Sequence, residues 1–248
     1  MSSERPDLRT EVVEYDDGDT VFEGYVASPA APSGPRPCVL VGHDWSGPND
    51  SIRQGARRLA RLGWVGFALD AYGKGVRGSL TGDNSALMDP LLADRATLRR
   101  RLLAGLAAAR RHPGVDPGRI AVIGYCFGGL CALDLARAAP PGLVGAVSIH
   151  GVYTPPNLGE QGPIAAKVLV LHGWEDPLTP PSAVVDLARE LTDAGADWQL
   201  HAYGHAMHAF TFEGANVPER GIRYDANAAR RSWESTRAFL EEAFAASA

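Results

Sequence analysis

Six short segments with the pattern of β-strands, separated by longer stretches, constrain the fold of this chain more than any other feature. The segments lie at residues 37–42, 64–69, 120–123, 143–149, 167–171 and 198–203. The first of them is continuously apolar, as is typical of a strand that is buried on both faces of a sheet. Helical patterns lie at about 49–62, 86–111, 127–138, 181–193 and 224–245. The alternation predicts an α/β fold with a mostly parallel central sheet and helices on both faces.

The N-terminal part of the chain departs from this pattern. Residues 11–28 alternate apolar and polar side chains around Asp16-Asp17-Gly18-Asp19, which predicts an antiparallel hairpin. Residues 29–37 are rich in Pro, Ala, Ser and Gly and are expected to form a loop. The chain has 248 residues, of which 45% are hydrophobic, and one α/β domain often has this size. We therefore expect a single domain over residues 1–248.

Charge and hydropathy limit the partners that the chain can have. The formal net charge of −5 argues against a nucleic-acid partner. The densest basic run, Arg99-Arg100-Arg101, falls within a helical pattern and is expected on a solvated helix face. No apolar stretch is long enough for a membrane span, and Met1–Asp7 lack the apolar core of a signal peptide. We expect a cytoplasmic protein, a monomer or homodimer, with no membrane partner.

The segment Gly124-Tyr125-Cys126-Phe127-Gly128 lies between an apolar strand and a helix of small residues. It has the pattern Gly-x-nucleophile-x-Gly, in which the nucleophile lies on a sharp, strained turn from strand to helix. The free N–H groups and the dipole of the helix N-terminus favour a thiolate there. They also place the N–H of Phe127 where it can face a developing oxyanion. Cys126 is therefore the candidate nucleophile.

The alternative for any free cysteine is simple packing in the core. We adopt it for Cys38, which lies inside an apolar run, and for Cys131, which lies in the helix after the turn. Three cysteines are too few for a disulfide framework, and no Cys-x-x-Cys pair indicates a redox or zinc site.

The acid and the base are expected downstream of the nucleophile, in that order. Glu175 and Asp176 follow the apolar run at 167–171, and we favour Asp176 because Pro177 fixes the turn after it. An Asx-turn is the structural alternative for Asp176. Among the next histidines, His201 falls inside a strand pattern and His205 at its end, whereas His208 lies in the loop beyond.

His208 is therefore the favoured base, with His205 as the runner-up. A metal site built from the three histidines is the less favoured alternative, because zinc needs three or four convergent ligands. We predict no metal and no cofactor.

From about residue 38 to the last helix, the sequence resembles the dienelactone hydrolase family. Residues 124–129, Gly-Tyr-Cys-Phe-Gly-Gly, are similar to the family's nucleophile turn. Gly173–Asp176 resemble its acid loop, and His208-Ala209-Phe210 resemble its His-x-Phe motif. The resemblance implies the α/β-hydrolase fold and hydrolysis of esters or lactones through a thiolate, without a cofactor.

The resemblance also implies roles for residues outside the triad. Asp44 takes the place of a family Glu that contacts the resting thiol, and Trp45 gives the second oxyanion N–H after that of Phe127. Of two family arginines that hold a substrate carboxylate, one matches Lys74 and the other Phe212.

Because Phe212 is neutral, a less charged ester or lactone is expected rather than dienelactone itself. Tyr72, Lys74, Phe210 and Phe212 are the expected substrate contacts. Two other interpretations stay open, a general carboxylesterase or thioesterase and a non-catalytic relative that binds a small molecule.

Overall fold

A computed structural model describes residues 7–31 and 34–246, and a sheet of eight strands organises that part of the chain. The strands are β1 (Leu8–Asp16), β2 (Val21–Pro29), β3 (Arg36–Gly42), β4 (Val65–Ala68), β5 (Val115–Tyr125), β6 (Leu143–Ile149), β7 (Lys167–Gly173) and β8 (Trp198–Tyr203). Their order across the sheet is β1-β2-β4-β3-β5-β6-β7-β8. β9 (Asn216–Val217) and β10 (Ile222–Arg223) form a separate small ribbon.

The predicted hairpin stands at one edge of this sheet. β1 and β2 are antiparallel, with Leu8 opposite Pro29 and Asp16 opposite Val21, and β2 is antiparallel to β4. From β4 to β8 every neighbouring pair is parallel. The predicted fold class, a mostly parallel sheet with an N-terminal antiparallel hairpin, is therefore confirmed. Of the loop predicted at 29–37, residues 32–33 lie outside the described residues.

Six α-helices occupy the described residues: α1 (Asp50–Ala60), α2 (Ser85–Ala93), α3 (Arg95–Arg111), α4 (Phe127–Arg137), α5 (Pro181–Asp193) and α6 (Ala226–Ala245). The single helix predicted over 86–111 is wrong, because it is two helices that meet at Asp94. This residue leaves the helical region, with ψ of 79°, and its side chain accepts a hydrogen bond from the Thr97 N–H. An N-cap of this kind begins a new helix. None of the helices in the described part of the chain is long and apolar enough to cross a bilayer.

The core lies on both faces of the sheet. Leu40 packs on the face that α3 and α4 cover, whereas Val39 and Val41 pack on the opposite face together with α1 and α6. Burial on both faces explains why central strands such as β3 and β7 are almost continuously apolar rather than alternating. Cys38 is fully buried in this core, and burial raises the pKa of its thiol.

The charge pattern predicts a solvated helix face for the basic run in α3, but only part of that run is solvated. Arg101 is half-buried, and its Nη1 donates hydrogen bonds to the carbonyl oxygens of Ala71 and Tyr72. Arg100 pairs with Asp17 in the hairpin turn. The helix therefore holds the segment after β4 in place, and that segment reaches the candidate active site.

Candidate active site

Cys126 lies between β5 and α4, at a turn with a strained backbone. Its φ of 55° and ψ of −117° are unusual for a residue with a side chain. The Cys126 N–H donates to Ile149 O, and the N–H groups of Gly129 and Leu130 donate to Cys126 O. The conformation is thus held from both sides, as a sharp turn from strand to helix requires.

Two glycines let the turn close against β3. A Cβ atom on Gly124 would lie 1.9 Å from Gly128 O, and a Cβ atom on Gly128 would lie 2.4 Å from Gly42 O. Real side chains do not tolerate such distances to backbone atoms. The Gly-x-Cys-x-Gly spacing therefore has a steric cause in this structure.

We expect Gly128→Ala to lower the free energy of unfolding by about 3 kcal/mol, since overpacking against rigid backbone cannot relax easily. Urea denaturation of purified protein measures this change. Gly162→Ala is the matched control, because no atom lies within 4 Å of the added methyl group. Equal stability of the two variants would contradict the steric argument.

The structure brings Cys126, His208 and Asp176 together in one hydrogen-bonded chain. His208 Nε2 is 3.1 Å from Cys126 Sγ, and His208 Nδ1 is 2.8 Å from Asp176 Oδ2. The side chains of His208 and Asp176 are 5% and 0% exposed, so water hardly screens their contact. The other carboxylate oxygen, Asp176 Oδ1, accepts from the Leu178 N–H. Histidine and acid are thus fixed in orientation before any substrate binds.

The backbone around His208 is also fixed. Its N–H donates to Gly221 O, and its carbonyl oxygen accepts from the Arg223 N–H. Gly221 adopts a positive φ of 70°, and a Cβ atom there would lie 2.3 Å from the Pro177 ring. The loop that carries the histidine is therefore packed against the loop that carries the acid.

The charges around His208 determine its ionisation. Burial by itself lowers the pKa of this imidazole, because it disfavours the charged form. The negative charge at Cys126 and the hydrogen bond to Asp176 outweigh burial and raise the pKa of His208 to about 10. These contacts therefore favour the charged imidazolium form of His208.

The competing acid and histidine form a second pair at the surface. His205 Nδ1 is 2.8 Å from Glu175 Oε1, but the His205 side chain is 90% exposed. His201 contacts Ser235 Oγ through its Nδ1. The three histidines thus have three different partners, and no group of metal-ligating side chains is found among residues 7–31 and 34–246.

The N–H groups of Phe127 and Trp45 are the candidate oxyanion donors. Phe127 N lies at the first position of α4, where an N–H has no partner within the helix. Neither N–H donates a hydrogen bond to another group in the described part of the chain. Both therefore remain candidates for the oxyanion donors.

Asp44 does not contact the thiol as the resemblance implies. Its Oδ1 accepts hydrogen bonds from the Ser46 N–H and the Ser46 hydroxyl, whereas the thiol contacts His208. Aspartate is one methylene shorter than glutamate, and its carboxylate closes a local turn instead. The structure thus gives Asp44 a role in shaping the loop after β3.

Three of the four expected substrate contacts have other partners. The Tyr72 hydroxyl donates to Trp45 O at 2.9 Å, and Lys74 pairs with Glu14 on β1. Phe210 is fully buried beside the rings of Tyr203 and His150, so it has no surface to offer a substrate. These three residues therefore support the structure in this conformation.

Phe212, the fourth, is 46% exposed, and two other large apolar side chains near the acid are exposed as well. Trp174 is 47% exposed and Leu178 is 55% exposed, and both lie on the loop that carries Asp176. Leu178 also lines a cavity of about 530 Å³ between residues 152–162 and the helices α4 and α5. The loops of the acid and the histidine thus present apolar surface.

Two buried histidines beside the site have no role in the sequence-based interpretation. His150 follows β6, and its ring lies 5.3 Å from that of His208, while its Nε2 is 2.8 Å from Thr211 Oγ1. Burial holds the pKa of His150 well below its usual value. His43 follows β3 and precedes Asp44. Their positions in the sequence could have indicated both histidines, because each directly follows an apolar strand.

Comparison with known proteins relates this chain to a protein family. The model of the dienelactone hydrolase family matches residues 22–244. A relative from Aquifex aeolicus, whose assigned name is that of a carboxymethylenebutenolidase, is 25% identical over 90% of this chain and 94% of its own length.

Two solved structures are similar over nearly the whole chain. The structure of m3DLH is 34% identical, with a TM-score of 0.88, and the match covers 96% of this chain and 99% of that one. A dienelactone hydrolase-like promiscuous phosphotriesterase from metagenomic libraries is 37% identical, with a TM-score of 0.87 and the same coverage.

Proposed function

Since this chain belongs to the dienelactone hydrolase family and is a hydrolase of ester or lactone bonds, we propose that it cleaves them with a Cys126–His208–Asp176 triad. The observation that carries the proposal is the unbroken hydrogen-bonded chain from Sγ through the imidazole to the buried carboxylate. An activated nucleophile, a base and a group that orients the base are the parts that covalent acyl transfer needs.

Acylation begins with the thiolate of Cys126 and the imidazolium of His208. Sulfur attacks the acyl carbon, and the carbonyl electron pair moves onto the oxygen, which the Phe127 and Trp45 N–H groups stabilise. When the carbonyl reforms, the bond to the alkoxy oxygen breaks and His208 Nε2–H protonates that oxygen. The products are a thioester on Cys126, an alcohol and a neutral imidazole.

Deacylation reverses these roles with water as the nucleophile. Neutral His208 takes a proton from water as the oxygen attacks the thioester carbon, and the same N–H groups hold the oxyanion. Breakage of the C–S bond returns the thiolate, which the new imidazolium stabilises, and releases the acid. With a lactone, the alcohol formed in the first step stays attached to the acyl group, so one ring-opened acid leaves.

The surroundings of the triad support a substrate with little charge and an apolar part. Lys74 forms an exposed ion pair with Glu14, and Phe212 is neutral. Trp174, Leu178 and Phe212 offer exposed apolar surface on the loops of the acid and the histidine. An aryl or alkyl ester, or a small lactone, is the substrate class that fits this surface best.

The experiment combines turnover with mass spectrometry. We expect p-nitrophenyl acetate, p-nitrophenyl butyrate and a small lactone to be hydrolysed, and acid quenching to trap one acetyl group on the peptide that contains Cys126. An acetyl group on a different residue would contradict the proposed nucleophile. Saturable binding of the lactone with no turnover of any ester would favour the non-catalytic alternative.

The phosphotriesterase relative motivates a second candidate activity. It is 37% identical over 96% of this chain and is described as promiscuous. Two N–H groups that stabilise a carboxylic oxyanion can also bind a phosphoryl oxygen. Assay of an aryl dialkyl phosphate beside the esters tests it, and absence of aryl alcohol release above the Cys126→Ala background would exclude it.

A further inference from the structure

His43 is a buried histidine that the proposed reaction does not use directly. It follows β3 and is 2% exposed. Its Nδ1 lies 2.6 Å from Asp44 O, and its Nε2 lies 3.1 Å from the N–H of Ala71. Both ring nitrogens therefore have backbone partners, one in the loop after β3 and the other after β4.

The backbone partners determine the tautomer of His43. A backbone N–H only donates, so Nε2 must accept the hydrogen bond from Ala71. Nδ1 then carries the hydrogen and donates it to Asp44 O. Burial lowers the pKa of His43, which keeps the ring neutral and this pattern intact at neutral pH.

The hydrogen bond to Asp44 O acts on the oxyanion donor directly. The carbonyl of Asp44 and the N–H of Trp45 belong to one planar peptide group. A donor at the carbonyl oxygen fixes the plane of that group, and it polarises the group so that the N–H becomes a stronger donor. The Gly47 N–H also donates to Asp44 O, at the longer distance of 3.2 Å.

Aromatic packing completes the support. The His43 ring lies 4.7 Å from the Tyr72 ring, and Tyr72 in turn stacks on Phe127 at 5.8 Å. The Tyr72 hydroxyl donates to Trp45 O, which belongs to the next peptide group. The peptide groups on both sides of the Trp45 Cα are thus pinned, and the same ring cluster touches the second donor residue, Phe127.

We propose that His43 is a positioning residue that orients and polarises the Trp45 N–H for oxyanion stabilisation. The inference rests on the proposed acyl transfer, because only that reaction develops an oxyanion at this N–H. The proposed role of His43 is independent of the Cys126–His208 ion pair, because those two residues lie on other loops.

The test compares His43→Leu with His43→Asn. Leucine removes the hydrogen bond to Asp44 O, and we expect kcat/KM for p-nitrophenyl acetate to fall about 10- to 100-fold, mainly through kcat, somewhat less than the loss of a whole oxyanion donor. Asparagine places an amide N–H near the position of Nδ1, so His43→Asn should recover most of the loss. Turnover of His43→Leu equal to wild type would overturn the proposal.

Alkylation of Cys126 by iodoacetamide separates positioning from general damage. This reaction needs the thiolate but forms no oxyanion, so its rate in His43→Leu should stay within about twofold of wild type. A parallel loss of alkylation and turnover would mean that the variant disturbs the whole site, and it would overturn the proposal.

His112→Leu is the matched control. His112 also accepts from a backbone N–H, that of Gly114, and contacts Glu11, but it lies between α3 and the beginning of β5, at the opposite end of the sheet. Its turnover should equal that of wild type, and an equal loss in both leucine variants would overturn the proposal. Failure of the wild type itself to hydrolyse any ester would refute the proposed function before His43 is tested.

Discussion

Replacement of Cys126 by alanine is expected to lower kcat/KM for p-nitrophenyl acetate by about 10³-fold or more. The thiolate forms the only covalent bond to the acyl group in the proposed reaction, and alanine leaves His208 and both oxyanion donors in place. Water activated by His208 is the remaining nucleophile, and it lacks the proximity of a bonded sulfur. Steady-state kinetics, with the initial burst of p-nitrophenol as a second signal, measure the loss.

Cys131→Ala is the matched control for this variant. Cys131 lies in α4, just beyond the nucleophile turn, and is buried. Burial raises the pKa of its thiol well above the usual value, so it stays protonated and inert. We expect its turnover to be close to wild type. Full activity of Cys126→Ala, or an equal loss in Cys131→Ala, would contradict Cys126 as the nucleophile.

Much of the fold could be predicted because the sheet is buried on both faces. Runs such as 38–41 and 168–171 stay apolar at every position, as is typical of central parallel strands. The nucleophile turn was equally visible. Gly124 is forced by backbone contacts with Gly128 and Gly129 in the same turn, whereas Gly128 is forced by the backbone at Gly42 and His43. Patterns with a local steric cause can be read from local sequence.

The features that sequence reasoning missed have two causes, a local side-chain cap and contacts between distant segments. Asp94 divides the predicted helix through a side-chain cap, which the periodicity of the apolar residues does not reveal. Phe210 lies two residues after His208, yet it packs into the core on the sheet face that α1 and α6 cover. Lys74 pairs at the surface with Glu14 on β1, which is 60 residues away in the chain.

The two acid–histidine pairs also differ in a property, burial, that the sequence does not reveal. Glu175 and Asp176 are adjacent in sequence, and His205 and His208 lie in one short loop. In the structure one pair is at the surface and the other is buried against the thiol. Adjacent residues at a strand end point in different directions, so the sequence places the pairs in the right loops, and burial then distinguishes them.

Asp176→Asn is expected to reduce kcat/KM by about 10³- to 10⁴-fold, as loss of the orienting acid does in a comparable triad. Asparagine keeps the size of the side chain, and its oxygen can still accept from the Leu178 N–H. Its amide nitrogen then faces His208 Nδ1 and donates to it, which forces the proton of the neutral ring onto Nε2. That tautomer cannot accept the proton of the Cys126 thiol, and the negative charge that helps to raise the pKa of His208 is gone. Slower alkylation of Cys126 by iodoacetamide at pH 6.5 should accompany the loss of turnover.

Glu175→Gln tests the surface pair with the same chemical change one residue earlier. Its partner His205 is exposed and in contact with solvent, so we expect kcat/KM and the alkylation rate to remain within about twofold of wild type, as surface ion pairs contribute little. If Glu175→Gln were the variant that lost turnover while Asp176→Asn retained it, His205 and Glu175 would be the functional pair. The buried hydrogen-bonded chain would then be a structural feature of the core, and the proposed mechanism would have to be rebuilt around an exposed histidine.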